Sequence, residues 1–199
     1  MGTTRLIIVA VGGQGNLLAS KVLGEAALIS GVPFRMSEIH GMAQRGGVVE
    51  SAIIFGEATS SIISDSEADI LLGFEPVETL RALNRCSRDT KVITNTAPLP
   101  PFTVSIGKDV YPPVENIKEL ISEKCASLVA FDAMKIAKQA GSPMSVNIVL
   151  LGALIQSGTL GFTKENVIKA IKSRTKQSFL DKNLEAFELG FQTAENYTA

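Results

Sequence analysis

With 199 residues, 45% of them hydrophobic and 20% charged, the chain can bury a sizeable core and is far from the composition of a disordered segment. Its formal net charge of −1, without any Lys/Arg block, excludes the electrostatic footprint of a nucleic-acid binder. Two cysteines exclude an iron–sulfur cluster built by this chain alone, which takes four thiolates, and no Cys/His spacing suggests zinc.

Met1-Gly2-Thr3-Thr4-Arg5 leads straight into Leu6-Ile7-Ile8-Val9-Ala10, an apolar run too short for a signal-peptide core or a membrane span. Leu6 stands where a myristoylation start needs Ser or Thr. A cytoplasmic protein with no membrane partner is expected, with Cys86 and Cys125 reduced and partly buried. Arg5–Val11 is a continuous apolar run that reads as a strand covered on both faces. After Gly12-Gly13-Gln14-Gly15, helical spacing runs from Asn16 to Ile29, with Leu18, Val22, Ala26 and Ile29 as one stripe and Gly31 as the stop. Phe34–Ile39 is a second strand, which makes a right-handed βαβ opening.

Val48–Phe55 is strand-like and Gly56-Glu57 a turn. Asp69–Phe74 is a short buried strand, Pro76 opens a helix to about Leu83, and Lys91–Asn95 is a further strand. Ala97–Pro113 holds five of the eight prolines and is expected to be irregular, with Thr103–Ile106 as an edge strand. Val114–Lys124 is helical, Ser127–Phe131 a strand, and Asp132 starts a helix to Ala140. Ser145 is a cap for the almost wholly apolar helix Val146–Ser157, which Gly158 and Gly161 stop. Thr163 caps a helix to about Ser173, and Asp181 caps the last one, from Lys182 to about Tyr197. Phe179, Leu184, Phe187, Phe191 and Tyr197 read as its packing residues. Alternating strands and helices with a helical tail indicate one domain over residues 1–199, a three-layer α/β/α sandwich.

Two loops carry the chemistry, and both are expected at one end of the sheet. Gly12-Gly13-Gln14-Gly15 lies between a strand and a helix, where free N–H groups and the helix dipole suit an anion. Glu38, near the end of the second strand, stands where a dinucleotide fold places a ribose-binding carboxylate. Leu18, however, occupies the place of the third small residue of that fingerprint. The second loop, His40-Gly41-Met42-Ala43-Gln44-Arg45-Gly46-Gly47, joins the only histidine of the chain to an amide, an arginine and three glycines. Arg45 beside Gly46 and Gly47 could grip a carboxylate or phosphate; a glycine bulge with its arginine in water is the plainer alternative. Asp132 could face the same end, although a helix cap explains it more simply. Asn147, inside the apolar helix, needs a hydrogen-bond partner and is expected to bond a loop.

Val11-Gly12-Gly13-Gln14-Gly15, His40 to Gly47, and Lys182-Asn183-Leu184-Glu185-Ala186-Phe187-Glu188-Leu189-Gly190 together resemble the small, gamma-type subunits of 2-oxoacid:ferredoxin oxidoreductases. The likeness runs from about Arg5 to Tyr197. The middle loop is its specific part, because gamma subunits for pyruvate and 2-oxoglutarate usually carry a Gly-Pro-Glu type sequence before the arginine. The His-Gly-Met-Ala-Gln form resembles the beta subunits of indolepyruvate:ferredoxin oxidoreductases. The resemblance implies a mixed, mostly parallel sheet like that of domain III of pyruvate:ferredoxin oxidoreductase. It also implies a large (alpha) partner subunit that holds thiamine diphosphate, Mg2+ and [4Fe–4S] clusters, with no cofactor expected in this chain. Such an assembly decarboxylates arylpyruvates oxidatively to aryl-acetyl-CoA and passes electrons to ferredoxin. His40, Gln44 and Arg45 would then contribute to a shared active site for the 2-oxoacid or coenzyme A, beside a binding surface formed by Gly12, Gly13, Gln14, Gly15, Gly46 and Gly47. The residues alone leave two other readings open: a free-standing Rossmann-like NAD(P)-binding reductase or nucleotide module, and an interaction domain whose loops only pack.

Overall fold

The computed structural model describes residues 2–41 and 47–197, with the side chain of Phe102 left aside. Strand β1 (Thr4–Val11) is followed by α1 (Asn16–Ile29), β2 (Phe34–His40) and β3 (Val48–Phe55). Then come β4 (Ala68–Gly73), α2 (Pro76–Arg81), β5 (Cys86–Asn95), the short turn of helix α3 (Phe102–Ser105), and α4 (Val114–Ser122). β6 (Ser127–Phe131) precedes four helices: α5 (Ala133–Gln139), α6 (Val146–Gln156), α7 (Lys164–Arg174) and α8 (Gln177–Glu195).

The strands form one six-stranded sheet in the order β2-β3-β1-β4-β5-β6. The β1–β4, β4–β5 and β5–β6 pairs are parallel, whereas β3 is antiparallel to both β1 and β2. The sheet is therefore mixed and mostly parallel, as expected. The opening βαβ unit is not a contiguous pair, however: β3 lies between β1 and β2, which run in the same direction without touching. Periodicity shows that a segment is a strand but not which neighbour it takes, and the return of β3 fills the slot beside β1.

Both faces of the sheet are covered. On one, Leu6, Ile8, Ile70, Leu72 and Ile93 pack with Val22, Leu23 and the α6 residues Ile148, Leu150 and Leu151. On the other, Ile7, Val9, Leu71 and Val92 pack with Leu83, Ile117 and Ile121. The α1 stripe is rotated from the expected one. Ala19, Leu23 and Ala27 are buried beside Val22 and Ala26, while Ile29 is exposed, and Gly24 sits against the Phe34 ring, where a Cβ would crowd it.

All α6 residues except Gln156 are buried. The α8 helix crosses it so closely that a Cβ on Gly152 would strike the backbone at Phe187 and Phe191, and one on Gly190 would strike that at Val149. The expected edge strand Thr103–Ile106 is absent from the described sheet. Residues 102–105 are helical, because the Pro101 carbonyl accepts from the N–H groups of Val104 and Ser105, with proline at the helix entry where an N–H is not needed. The last helix starts at Gln177 rather than Lys182, so Asp181 lies inside it and caps nothing. Asp132 and Thr163 do cap, accepting from the N–H groups of Lys135 and Asn166. Ser145 stands at the start of α6 without capping it; its hydroxyl donates to Asn183 Oδ1 at 2.7 Å.

Candidate functional site

The two loops do meet at one end of the sheet. Gly12 N–H donates to the Gly47 carbonyl at 2.8 Å, and Gly41 N–H to the Val48 carbonyl at 2.9 Å. His40 and Gly47 thereby flank the end of β1, the former through its register with Val49. Gln44, Arg45 and Gly46 lie outside the described residues.

The glycine loop is held from within. Gln14 Oε1 accepts from Val11 N–H at 2.8 Å, and Gln14 Nε2 donates to the Phe74 carbonyl at 3.1 Å. The carboxamide thus bridges the ends of β1 and β4, whose following helices, α1 and α2, pack on opposite faces of the sheet. That is the topological switch point where open α/β sheets form ligand crevices. Here Gln14 spans it, and Asn95 Nδ2 donates to the same Phe74 carbonyl. Gly13 and Gly15 have φ of +103° and +83°, backbone that side chains disfavour. At Gly15 the demand is double, because an added Cβ would lie 2.5 Å from Asn147 Nδ2. Asn147 is the loop-bonding residue expected from the sequence: its Nδ2 donates to the Gly15 carbonyl at 3.1 Å.

No side chain caps α1, and its first turn holds no acidic residue, so its free N–H groups and positive dipole end stay available. They border a cleft of about 460 Å3 lined by Val11, Gly12, Gly13, Gly15, Asn16, Leu17, Glu38, His40, Gly41 and Val49. Glu38 Oε2 lies 3.3 Å from His40 Nε2; the carboxylate is 18% exposed and the imidazole 59%. Two buried atoms of this cleft's lining residues, Glu38 Oε1 and Asn16 Nδ2, have no hydrogen-bond partner.

Beyond the glycine loop a second cleft, of about 390 Å3, is bounded by Leu18, Pro98, Leu99, Met134, Met144 and Asn147 among others. A third, of about 260 Å3, touches Gly12, Glu75, Glu78 and Pro100. Glu75 holds its surroundings together, accepting from the N–H groups of Glu78 and Leu99 and from the Tyr111 hydroxyl. Burial and that bond push the Tyr111 phenol up, and burial likewise raises the Glu78 carboxyl against the nearby Arg81.

Sequence reasoning found the loops and Glu38 but not Asn16, Ser51 or Glu75. Ser51 offered a signal, since it and Glu50 are the two polar residues of an otherwise apolar strand; Asn16 offered only its place directly after Gly15. Among the described residues no cluster of three or more His, Cys, Asp or Glu side chains could hold a metal ion, and no helix is long and apolar enough to cross a membrane. Cys86 and Cys125 are free thiols, and burial first, then Cys125, pushes Cys86 up to about 11.

Residues 5–193 match the family model described as pyruvate ferredoxin/flavodoxin oxidoreductase. The chain is 41% identical over 189 residues to indolepyruvate oxidoreductase subunit IorB of Methanothermobacter thermautotrophicus, covering 95% of this chain and 96% of that protein. It is 40% identical to the subunit of the same name from Pyrococcus horikoshii, covering 96% and 95%. Among solved structures, the gamma subunit of a keto/oxoacid ferredoxin oxidoreductase from Geobacter sulfurreducens superposes with a TM-score of 0.71 at 24% identity, over 97% of this chain and 99% of that one. A 2-oxoglutarate:ferredoxin oxidoreductase from Magnetococcus marinus, solved with 2-oxoglutarate, coenzyme A and succinyl-CoA bound, gives 0.73 at 17% identity. There the match covers 98% of this chain but 32% of that longer one, so the same fold recurs as one part of a larger polypeptide.

Proposed function

The chain belongs to the pyruvate ferredoxin/flavodoxin oxidoreductase family, and from that premise we propose that it is the small (beta) subunit of an indolepyruvate:ferredoxin oxidoreductase. The observation that carries this is the 34–41% identity, along about 95% of the chain, to indolepyruvate oxidoreductase subunits from four archaea. The free-standing reductase reading has no comparable support, and Gln14 across the switch point argues against a dinucleotide there.

In this reading the chain works within a complex. An arylpyruvate is decarboxylated oxidatively, the acyl group leaves as an aryl-acetyl-CoA thioester, and two electrons go to ferredoxin. A [4Fe–4S] cluster does not fit this chain, which has two cysteines, one of them buried. We assign the clusters, thiamine diphosphate and Mg2+ to the large (alpha) subunit and place the complex in the cytoplasm, where free thiols persist. The small subunit presents the end of its sheet to the partner's active centre. The α1 N-terminus, His40 and its neighbour Glu38 are supplied from described residues, and Gln44, Arg45 and Gly46 from the loop that follows. His40 and Arg45 are the groups proposed to meet the 2-oxoacid carboxylate.

The test is a pull-down from native, anaerobic extract with this chain as bait. The eluate is assayed for CoA-dependent viologen reduction by indolepyruvate, pyruvate and 2-oxoglutarate. The expected result is a brown, thiamine-dependent partner most active on indolepyruvate. No partner, with NADPH bound by the chain alone, would overturn the reading.

A further inference from the structure

A further cleft, of about 300 Å3, opens where the link between α5 and α6 meets the start of α8. Its walls are apolar: Leu18 is half-buried, while Met144 and Phe179 at the rim are 77% and 42% exposed. Its floor is polar and mostly paired. Ser145 donates to Asn183 Oδ1 at 2.7 Å, and Asn183 Nδ2 donates to Thr175 Oγ1 at 3.4 Å. Ser142 is the exception. It is 6% exposed, and its backbone is fixed by bonds to the Ala137 carbonyl and the Ser145 N–H. Its hydroxyl neither caps the following turn nor bonds any other described residue. Ser142 lines the cleft, and its hydroxyl is not among the atoms sealed from solvent.

The cleft is also electropositive. Of its two cations, Arg174 is held by Glu25 through Nε and Nη2, whereas Lys176 pairs with no carboxylate among the described residues. No acidic side chain is among the described lining residues. Neither α6 nor α8 has a side-chain cap or an acidic residue in its first turn. Both therefore leave free N–H groups and a positive dipole end beside the cleft. Asp181 follows Phe179 by two residues within α8, which turns it to the opposite side of that helix.

We propose that this cleft docks the large subunit, taking an aspartate or glutamate side chain from an otherwise apolar segment of that partner. Lys176 Nζ meets the carboxylate, and the Ser142 hydroxyl donates to it. Leu18, Met144 and Phe179 cover the apolar side chains that flank it. One free cation beside a neutral hydroxyl matches a single negative charge. Methionine and phenylalanine at the rim are residue types that protein interfaces favour. A volume of about 300 Å3 lies at the lower limit of small-molecule clefts and suits one or two anchoring side chains. Continuity supplies the partner. Leu18, Met144 and Asn147 also line the second cleft, which reaches Gly13, Gln14 and Gly15. The surface thus runs unbroken from the start of α8 to the loop end assigned to the large subunit. The inference rests on that functional assignment and extends the contact beyond the loops.

The experiment measures the Kd of this chain for its large subunit by anaerobic analytical ultracentrifugation, at low salt and at about 0.5 M. Lys176→Glu is expected to raise the Kd about thirtyfold at low salt and much less at about 0.5 M, where exposed charges are screened. Ser142→Ala and Phe179→Ala should each raise it about tenfold at both. Lys172→Glu, the same charge change on α7 outside the cleft, should stay within about twofold. Carbodiimide treatment of the parent complex should join Lys176 Nζ through an amide to an Asp or Glu of the large subunit, located by peptide mass spectrometry. Equal weakening by Lys172→Glu and Lys176→Glu would reduce the effect to overall charge and overturn the proposal. An unchanged Kd in Ser142→Ala and Phe179→Ala would overturn it as well. A free chain that sediments as a dimer, broken by Phe179→Ala, would give the cleft to a second copy instead. Binding of coenzyme A or indolepyruvate to the free chain, lost in Ser142→Ala, would give it to a small molecule. A parent chain that binds no large subunit would overturn the functional assignment, and this inference with it.

Discussion

The crossing of α6 and α8 and the loop end of the sheet are built from the same residue type on opposite principles. At the crossing, Gly152 and Gly190 let two backbones touch, and the surroundings are apolar and closed. At the loop end, Gly13 and Gly15 let the chain turn with positive φ, and the surroundings are open, mix apolar with polar groups and are incompletely paired. The first region gains from packing density, where any added atom must displace something. The second keeps donors and acceptors that the chain itself does not use. Stability is concentrated in one region and unsatisfied chemistry in the other, which is why function is placed at the loops.

Substitutions at the two kinds of glycine should separate these roles. Gly152→Ala or Gly190→Ala forces a methyl against backbone and should cost about 3 kcal/mol or more, the upper end for overpacking. Thermal unfolding would then come about 6–12 °C lower, while the surviving complex should keep its activity per folded molecule. Gly15→Ala carries left-handed strain plus contact with Asn147, for about 2–3 kcal/mol. In contrast to the helix variants, it should lower activity even at temperatures where the protein is fully folded. Equal activity loss in both sets would erase the distinction between the regions. Gln14→Ala removes the bridge between Val11 N–H and the Phe74 carbonyl and should cost about 1–2 kcal/mol, measured by urea unfolding.

The smallest effect concerns Glu78, beside the third cleft. Its carboxyl is raised in the folded protein, so the stability linked to it is complete below the unfolded value of 4.5 and declines as pH rises through the folded value. Glu78→Gln should therefore stabilise the chain near pH 7 by a small margin that vanishes below pH 4.5. A variant less stable than the parent at pH 7 would show that the pair with Arg81 outweighs the burial.

Much of this fold was legible because its signals are local. Asp132 and Thr163 announced caps, Gly31 a helix stop, and Asn147 announced an unmet need that the Gly15 carbonyl fulfils. What was not legible depended on neighbours distant in sequence. The insertion of β3 between β1 and β2 is a choice of partner, and the buried face of α1 is set by the sheet and helix residues it packs against. Asp181 looked like a cap, yet the helix was already under way from Gln177, and an exposed carboxylate in its early turns is well tolerated there. The site divided in the same way. Its loops could be read from glycines and a lone histidine, whereas the Asn16–Ser51–Glu38 arrangement exists only once three elements meet.

Hydrogen exchange of this chain, free and assembled with its large subunit, tests the central claim most directly. The account predicts new protection at Val11–Leu18 and Glu38–Gly41, with little change along α7 and the outer face of α4. Protection appearing on α7 or α4 while the two loops exchange as freely as before would contradict it, because the partner would then sit away from the end of the sheet where the chemistry has been placed.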